Sequence, residues 1–405
     1  MSGPLVSTTS SGGGGEGGQI IISDAAAHNS AVVSSARELT AGNADAGAGA
    51  STLATAVAAP APVATMPLVP RASMSMPKIL YGTAWKGDAT ASLVRQAFRA
   101  GFRGVDTAGQ RKHYREDLVG EGIALARREL GLKREDIWIQ TKFTSVDGQD
   151  STGFIPYDPQ APVAEQVWAS FRHSLYSLNL SPSVTIDAKG KKRETASGSK
   201  EGLNASSTDV EPQPYIDSYL LHSPLRSLEE TAAAWAVLEE LVLSGQVRQI
   251  GISNVYDPRI WAALRGMMTR VKPTVLQNRW HASTGHDLSV LPTLSPVLSP
   301  NDFPLDEDGF AGEGIRYQPF WTLTGNPFLL ESTAVLAAAA EFGLTPEQVV
   351  YRYVSQGLGI AGVQATVLCG STSESHVREA VQAVQSGSDL DEQTIDAIRR
   401  EIYGE

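Results

Sequence analysis

Apolar and polar positions alternate along this chain with two periods. Short apolar runs recur at 78–84, 102–107, 137–142, 218–222, 249–253, 274–278, 315–320 and 366–370, and each predicts a buried strand. Between most of them the apolar positions fall three to four residues apart. That spacing predicts helices near 89–100, 115–130, 160–179, 228–243, 257–268, 331–342, from Pro346 onward, 375–385 and 391–402. Gly101 and Gly131 stand where helix C-caps are needed, and Pro346 where a first helical turn begins. Eight strands alternating with helices predict a parallel sheet closed into an α/β (β/α)8 TIM barrel. An open doubly wound sheet is the alternative.

Three successive strands end on side chains that handle protons. Phe102-Arg-Gly-Val-Asp106-Thr-Ala108 ends on a carboxylate, Ile137-Trp-Ile-Gln-Thr-Lys142 on an ammonium, and Tyr219-Leu-Leu-His222 on an imidazole. In a parallel barrel these strand ends converge on one mouth, where active sites lie. Singly, such residues are helix caps, surface charges or satisfied core histidines; together they point to an enzyme.

Two stretches interrupt the rhythm. Residues 183–213 are polar and rich in Lys, Glu, Ser and Gly, and read as a surface insertion before the fourth strand. Residues 292–314 carry prolines and acids where a crossover helix is expected, and predict an irregular segment near the barrel mouth. Gly357-Leu-Gly359-Ile-Ala-Gly362 matches a dinucleotide fingerprint formally. It sits between a helix and a strand, the reverse of the required order, and reads as a helix terminator.

Composition narrows the function. Of 405 residues, 1–72 are dominated by small residues with almost no aromatics, which predicts a disordered extension; residues 73–405 form the barrel unit. The extension has few arginines and carries Glu16, Asp24, Glu38 and Asp45, a poor fit to an organelle signal. A net charge of −11 argues against a nucleic-acid partner, and no apolar run is long enough to span a bilayer. The lone Cys369 excludes an internal disulfide and suits a reducing compartment, so the expected location is cytoplasmic, with 1–72 left as the segment that could carry another address. His281 and His286 share a loop without an acidic or Cys partner at ligand spacing, so no metal is implied.

The strand ends also resemble a known family. Gly101–Ala108 followed by Tyr114-Arg-Glu-Asp-Leu-Val-Gly120, the histidine strand Asp217-Ser-Tyr-Leu-Leu-His222-Ser-Pro224, Gly251-Ile-Ser253-Asn254, Gln277 and Tyr317-Gln-Pro319 together resemble the aldo-keto reductases. The resemblance runs from about Ile79 to Arg399. It implies a (β/α)8 enzyme that reduces aldehydes or ketones with NADPH, NADH being possible, on a small carbonyl substrate. By the same resemblance Asp106 pairs with Lys142, Lys142 lowers the pKa of a tyrosine acid, and His222 orients the substrate carbonyl.

The acid is where the chain departs from the family pattern. The family places its tyrosine five positions after the aspartate, and that position here is Arg111. The loop Gly109-Gln-Arg-Lys-His113-Tyr114 is about two residues longer. Counting back from Gly120 selects His113; residue type selects Tyr114, which is the choice made here.

The cofactor residues follow by resemblance. Ser253, Asn254 and Gln277 would hold the carboxamide and Tyr317 would stack on the nicotinamide, although turn caps and a rim aromatic explain the same residues. Gly370, Ser371 and Thr372 lie ahead of a helix N-terminus, an inherent anion site. The family's lysine and arginine for a 2′-phosphate correspond to Gly370 and His376 here, leaving Arg378 as a substitute. Trp85, Trp280, Phe143, Phe320 and Trp321 are candidate pocket walls. Two rivals remain: a non-catalytic nicotinamide-binding regulatory barrel, and a barrel enzyme using Lys142 as a Schiff-base amine.

Overall fold

The apolar runs become parallel strands in a computed structural model that describes residues 74–180, 184–186, 192–194, 214–268, 270–294 and 314–404. In chain order the barrel elements are β1 (Ile79–Gly82), α1 (Thr90–Ala100), β2 (Gly104–Asp106), α2 (Glu116–Leu130), β3 (Trp138–Phe143), α3 (Val163–Ser177), β4 (Ile216–Leu221) and α4 (Leu228–Leu243). They continue as β5 (Val247–Ser253), α5 (Pro258–Met267), β6 (Val275–Arg279), β7 (Arg316–Phe320), α6 (Pro327–Leu330), α7 (Thr333–Phe342) and α8 (Pro346–Ser355). The eighth strand is broken at Thr366 into β8 (Gln364–Ala365) and β9 (Val367–Cys369), and α9 (Glu374–Gln385) and α10 (Glu392–Tyr403) follow.

Each strand pairs in parallel with the next, β8 pairs with β7, and β9 pairs with β1. The break at Thr366 therefore lets one run of chain close the ring: the Thr366 amide bonds the Tyr317 carbonyl and the Val367 amide bonds that of Lys78. This is the predicted (β/α)8 barrel. Gly357, Leu358, Gly359 and Gly362 all adopt positive φ between α8 and β8, so the formal dinucleotide motif is the turn that ends α8.

Strand register decides which side chains enter the barrel. Asp106 pairs with Gln140, Gln140 with Ser218, Lys142 with Leu220, Ser253 with Gln277 and Gln277 with Gln318. With a period of two these residues share the interior face, and their neighbours face the helices. Leu80, Trp138, Leu220, Val275 and Leu368 pack inside with Met76, which precedes β1 and closes the interior at the strands' N-terminal ends. Arg248 bonds the Met74 carbonyl at 3.0 Å and Asp217 at 2.8 Å, pinning the incoming chain on that side, opposite the mouth.

Close approach of backbones requires Gly251 on β5: a Cβ there would lie 2.3 Å from the Val275 carbonyl oxygen. Gly251→Ala is expected to spread β5 from β6 and cost about 1–3 kcal/mol, read as a lower urea midpoint at unchanged slope.

The interruptions are resolved in part. Within 183–213, Val184–Ile186 and Lys192–Glu194 pair as an antiparallel ladder, and the remainder lies outside the described residues. After β6 the described chain forms two 3-10 turns, Ala282–Asp287 and Leu291–Leu294; residues 295–313, like the extension 1–72, lie outside the described residues. Among the described residues no helix is long and apolar enough to cross a membrane.

Candidate active site

β2 and β3 bring a buried ion pair to the barrel mouth. The Lys142 ammonium donates to both carboxylate oxygens of Asp106 at 2.8 Å and to the Thr107 carbonyl at 2.8 Å. Lys142 is fully buried and Asp106 nearly so. A buried ammonium needs such partners, because desolvation otherwise favours its neutral form. Burial does push Lys142 below the usual amine value, and the Asp106 charge opposes that shift.

Loop residues complete the mouth. The Tyr114 ring centroid lies 5.5 Å from Lys142 Nζ, and the ring meets His222 edge-on at 5.9 Å. His113 stacks on Trp85 at 3.7 Å, Trp85 being exposed and His113 half-buried. Asp106, Tyr114, Lys142 and His222 are therefore brought together, with the His113 ring against Trp85 and near enough to His222 to act on its charge.

The electrostatics differ from the expectation that Lys142 lowers the phenol. Burial and then the Asp106 charge hold Tyr114 well above the usual phenol value. Lys142 is already neutralised by two contacts to Asp106, so the phenol feels an ion pair rather than a bare cation. The consequence is a phenol that stays protonated at neutral pH. His222 is pushed down to about 3, by burial first and then by Lys142 and His113, and is neutral at any working pH. Thr144 Oγ1 lies 2.7 Å from its Nδ1. Glu116, at the start of α2, is pushed up to about 7 by burial, with Thr141 and Ser174 donating to its carboxylate.

The strand ends of β5 and β6 gather the expected carboxamide residues. Ser253 donates to the Gln277 carbonyl at 2.6 Å, and Asn254 donates to the His222 carbonyl at 2.9 Å while accepting from Tyr256. Gln277 donates to Asp106 and to Gln318, and its amide oxygen receives no donor among the described residues.

Tyr317 does not reach the mouth. Gln318 occupies the interior face of β7, so Tyr317 points outward, fully buried, with its hydroxyl donating to Asp287 at 2.7 Å. The expected nicotinamide-stacking role is corrected by that alternation. Trp280 and Phe143 likewise sit in the core outside the interior face, whereas Phe320 and Trp321 are half-buried near the rim.

At the start of α9, Gly370 is exposed and Ser371 half-buried; Ser371 Oγ accepts from the Ser373 amide, and the Ser371 carbonyl accepts from Tyr81. Thr372 is exposed. Arg378, offered for a 2′-phosphate, is paired with Glu374 one turn away on the exposed face of α9. A different cation reaches this loop: Lys86, after β1, bonds the Gly370 carbonyl, and a Cβ on Gly370 would stand 3.7 Å from its Nζ. Sequence reasoning missed Lys86, Thr144 and the interior Gln140 and Gln318. Interior parity of β3 and β7 signalled the glutamines; nothing in the sequence signalled that Lys86 meets Gly370, which lies 284 positions away.

Comparison with known proteins bears on the family and the fold. Residues 78–295 match the model of the Aldo/keto reductase family. An uncharacterized oxidoreductase of Schizosaccharomyces pombe is 28% identical over 228 residues, covering 51% of this chain and 52% of that protein. An NAD(P)H-dependent D-xylose reductase of Scheffersomyces stipitis is 24% identical over 327 residues, covering 72% and 83%. The chain thus spans about half the length of the first relative and about four-fifths of the second. Among solved structures, an aldo/keto reductase from Brucella melitensis superposes with a TM-score of 0.55 at 20% identity, covering 80% of this chain and 95% of that one.

Proposed function

We propose that this chain, which belongs to the aldo/keto reductase family, reduces aldehydes or ketones to alcohols using NAD(P)H. The observation that carries the proposal is the buried Asp106–Lys142 pair beneath the Tyr114 ring, with neutral His222 against that ring's edge. A carbonyl reduction needs hydride on carbon and a proton on oxygen, and the nicotinamide would supply the hydride.

The proton comes from the Tyr114 hydroxyl, which is protonated at neutral pH. As the phenol gives up its proton, negative charge grows on its oxygen, and the Lys142 ammonium favours that charge. Asp106 keeps Lys142 charged and in place. The contact between Thr144 Oγ1 and Nδ1 is compatible with the His222 tautomer that carries its hydrogen on Nε2, the one able to donate to the substrate carbonyl. Exposed Trp85, stacked on His113 next to Tyr114, offers apolar wall for the rest of the substrate.

The residues present suit a nicotinamide dinucleotide. Ser253, Asn254 and Gln277 lie together at the strand ends, and the Gln277 amide oxygen, which receives no donor among the described residues, suits a carboxamide N–H. Gly370, Ser371, Thr372 and the first turn of α9 suit phosphate, with the charge supplied by Lys86. NADPH is the favoured cofactor, with NADH possible. Lys86→Met is expected to weaken NADPH binding about tenfold, measured by fluorescence titration. An unchanged dissociation constant would remove Lys86 from the site, and a loss confined to NADPH over NADH would assign Lys86 to the 2′-phosphate.

The reading is tested by NADPH oxidation with a reactive aromatic aldehyde. Turnover supports a reductase; tight NADPH binding without turnover would favour the regulatory barrel. Borohydride trapping of a substrate adduct on Lys142 would contradict the proton-transfer scheme.

A further inference from the structure

Above its apolar floor the barrel interior turns polar, where such barrels are ordinarily filled by branched apolar side chains. Gln140 on β3, Gln277 on β6 and Gln318 on β7 are all buried there. Gln140 Nε2 donates to Asp106 Oδ1 at 2.7 Å and to Gln318 Oε1 at 2.6 Å. Gln277 Nε2 donates to the same two oxygens at 3.1 and 2.9 Å. Gln318 Nε2 returns a bond to Gln140 Oε1 at 3.0 Å and reaches Met76 Sδ at 3.3 Å. Each of the three amide nitrogens donates twice. A partly satisfied polar cluster would be worse than an apolar core, and this one is closed on its donor side.

We propose that Gln140 and Gln318, acting with Gln277, are positioning residues that fix the Asp106 carboxylate and thereby set the strength of the Tyr114 acid. The inference rests on the reductase reading and deepens it. Asp106 sits on a strand of three residues and pairs in register with Gly82, which offers no side chain to hold it. Its Oδ1 accepts from Lys142, Gln140 and Gln277, while Oδ2 accepts from Lys142.

The two amide donors draw carboxylate charge toward the barrel axis. That leaves the Lys142 ammonium less neutralised on the side of Tyr114. Gln318 touches neither Asp106 nor Lys142; it holds the other two amides in register, and Met76 accepts its remaining hydrogen. Without the donors, the Asp106 charge concentrates against Lys142, the phenolate is less favoured, and Tyr114 becomes a weaker acid.

The test compares wild type with Gln140→Met, which keeps length and apolar volume but removes both donated bonds. The expected result is a folded protein with unchanged NADPH affinity, kcat lowered about tenfold, and a larger solvent deuterium isotope effect as proton transfer becomes more limiting. A merely space-filling role would leave the isotope effect unmoved. Should Gln140→Met fail to fold, Gln140→Glu decides alone: it keeps the shape, sets an anion beside Asp106, and is expected to lower kcat and raise the isotope effect. Wild-type kcat and isotope effect in the folded variant would overturn the inference while leaving the reductase reading intact. Wild type that turns over no aldehyde would overturn both.

Discussion

Replacing Lys142 with methionine is expected to destabilise the protein by about 3–5 kcal/mol, the usual cost of stripping the partner from a buried charge. Lys142 is fully buried and donates to both carboxylate oxygens of Asp106. Without it the carboxylate keeps only the amides of Gln140 and Gln277 and has little access to water. The urea midpoint reports the loss. Adding Asp106→Leu to Lys142→Met is expected to recover much of it, because the orphaned charge is then gone. A single variant as stable as wild type would mean that the pair is not buried as described.

Tyr114→Phe is expected to lower kcat by about 10²–10⁴, the range over which a positioned general acid contributes. The phenyl ring keeps the edge contact with His222 and its place above Lys142, so folding and NADPH affinity should stay near wild type. No neighbour stands in readily for the lost hydroxyl. His222 is pushed down to about 3, and a neutral imidazole is a feeble acid. The split between a collapsed kcat and an unchanged dissociation constant separates a chemical role from a structural one.

The barrel was legible because its strands are short apolar runs that end where polar groups appear, and Asp106, Lys142 and His222 follow from that pattern alone. Residue type selects Tyr114 and counting from Gly120 selects His113; the loop sets the Tyr114 ring against Lys142 and the His113 ring against Trp85. The Tyr317 motif carries no sign of the strand's alternation, which sets its hydroxyl on Asp287. The neighbouring Gln318, paired in register with Gln277, fixes the interior face of β7 and turns the tyrosine outward. Lys86 was invisible because its partner Gly370 joins it only when β9 closes the ring against β1. The phenol also differs from the expectation drawn from Lys142: burial of the ring first, and then the Asp106 charge, hold it above the usual value.

The central claim is that Tyr114, held over the Asp106–Lys142 pair, delivers the proton. It is tested most directly by NADPH oxidation with an aromatic aldehyde for wild type, Tyr114→Phe and His113→Gln. The expected result is turnover in wild type, turnover within a few-fold of it in His113→Gln, and collapse in Tyr114→Phe. Turnover that survives in Tyr114→Phe and collapses in His113→Gln would contradict it and move the acid to the rim imidazole.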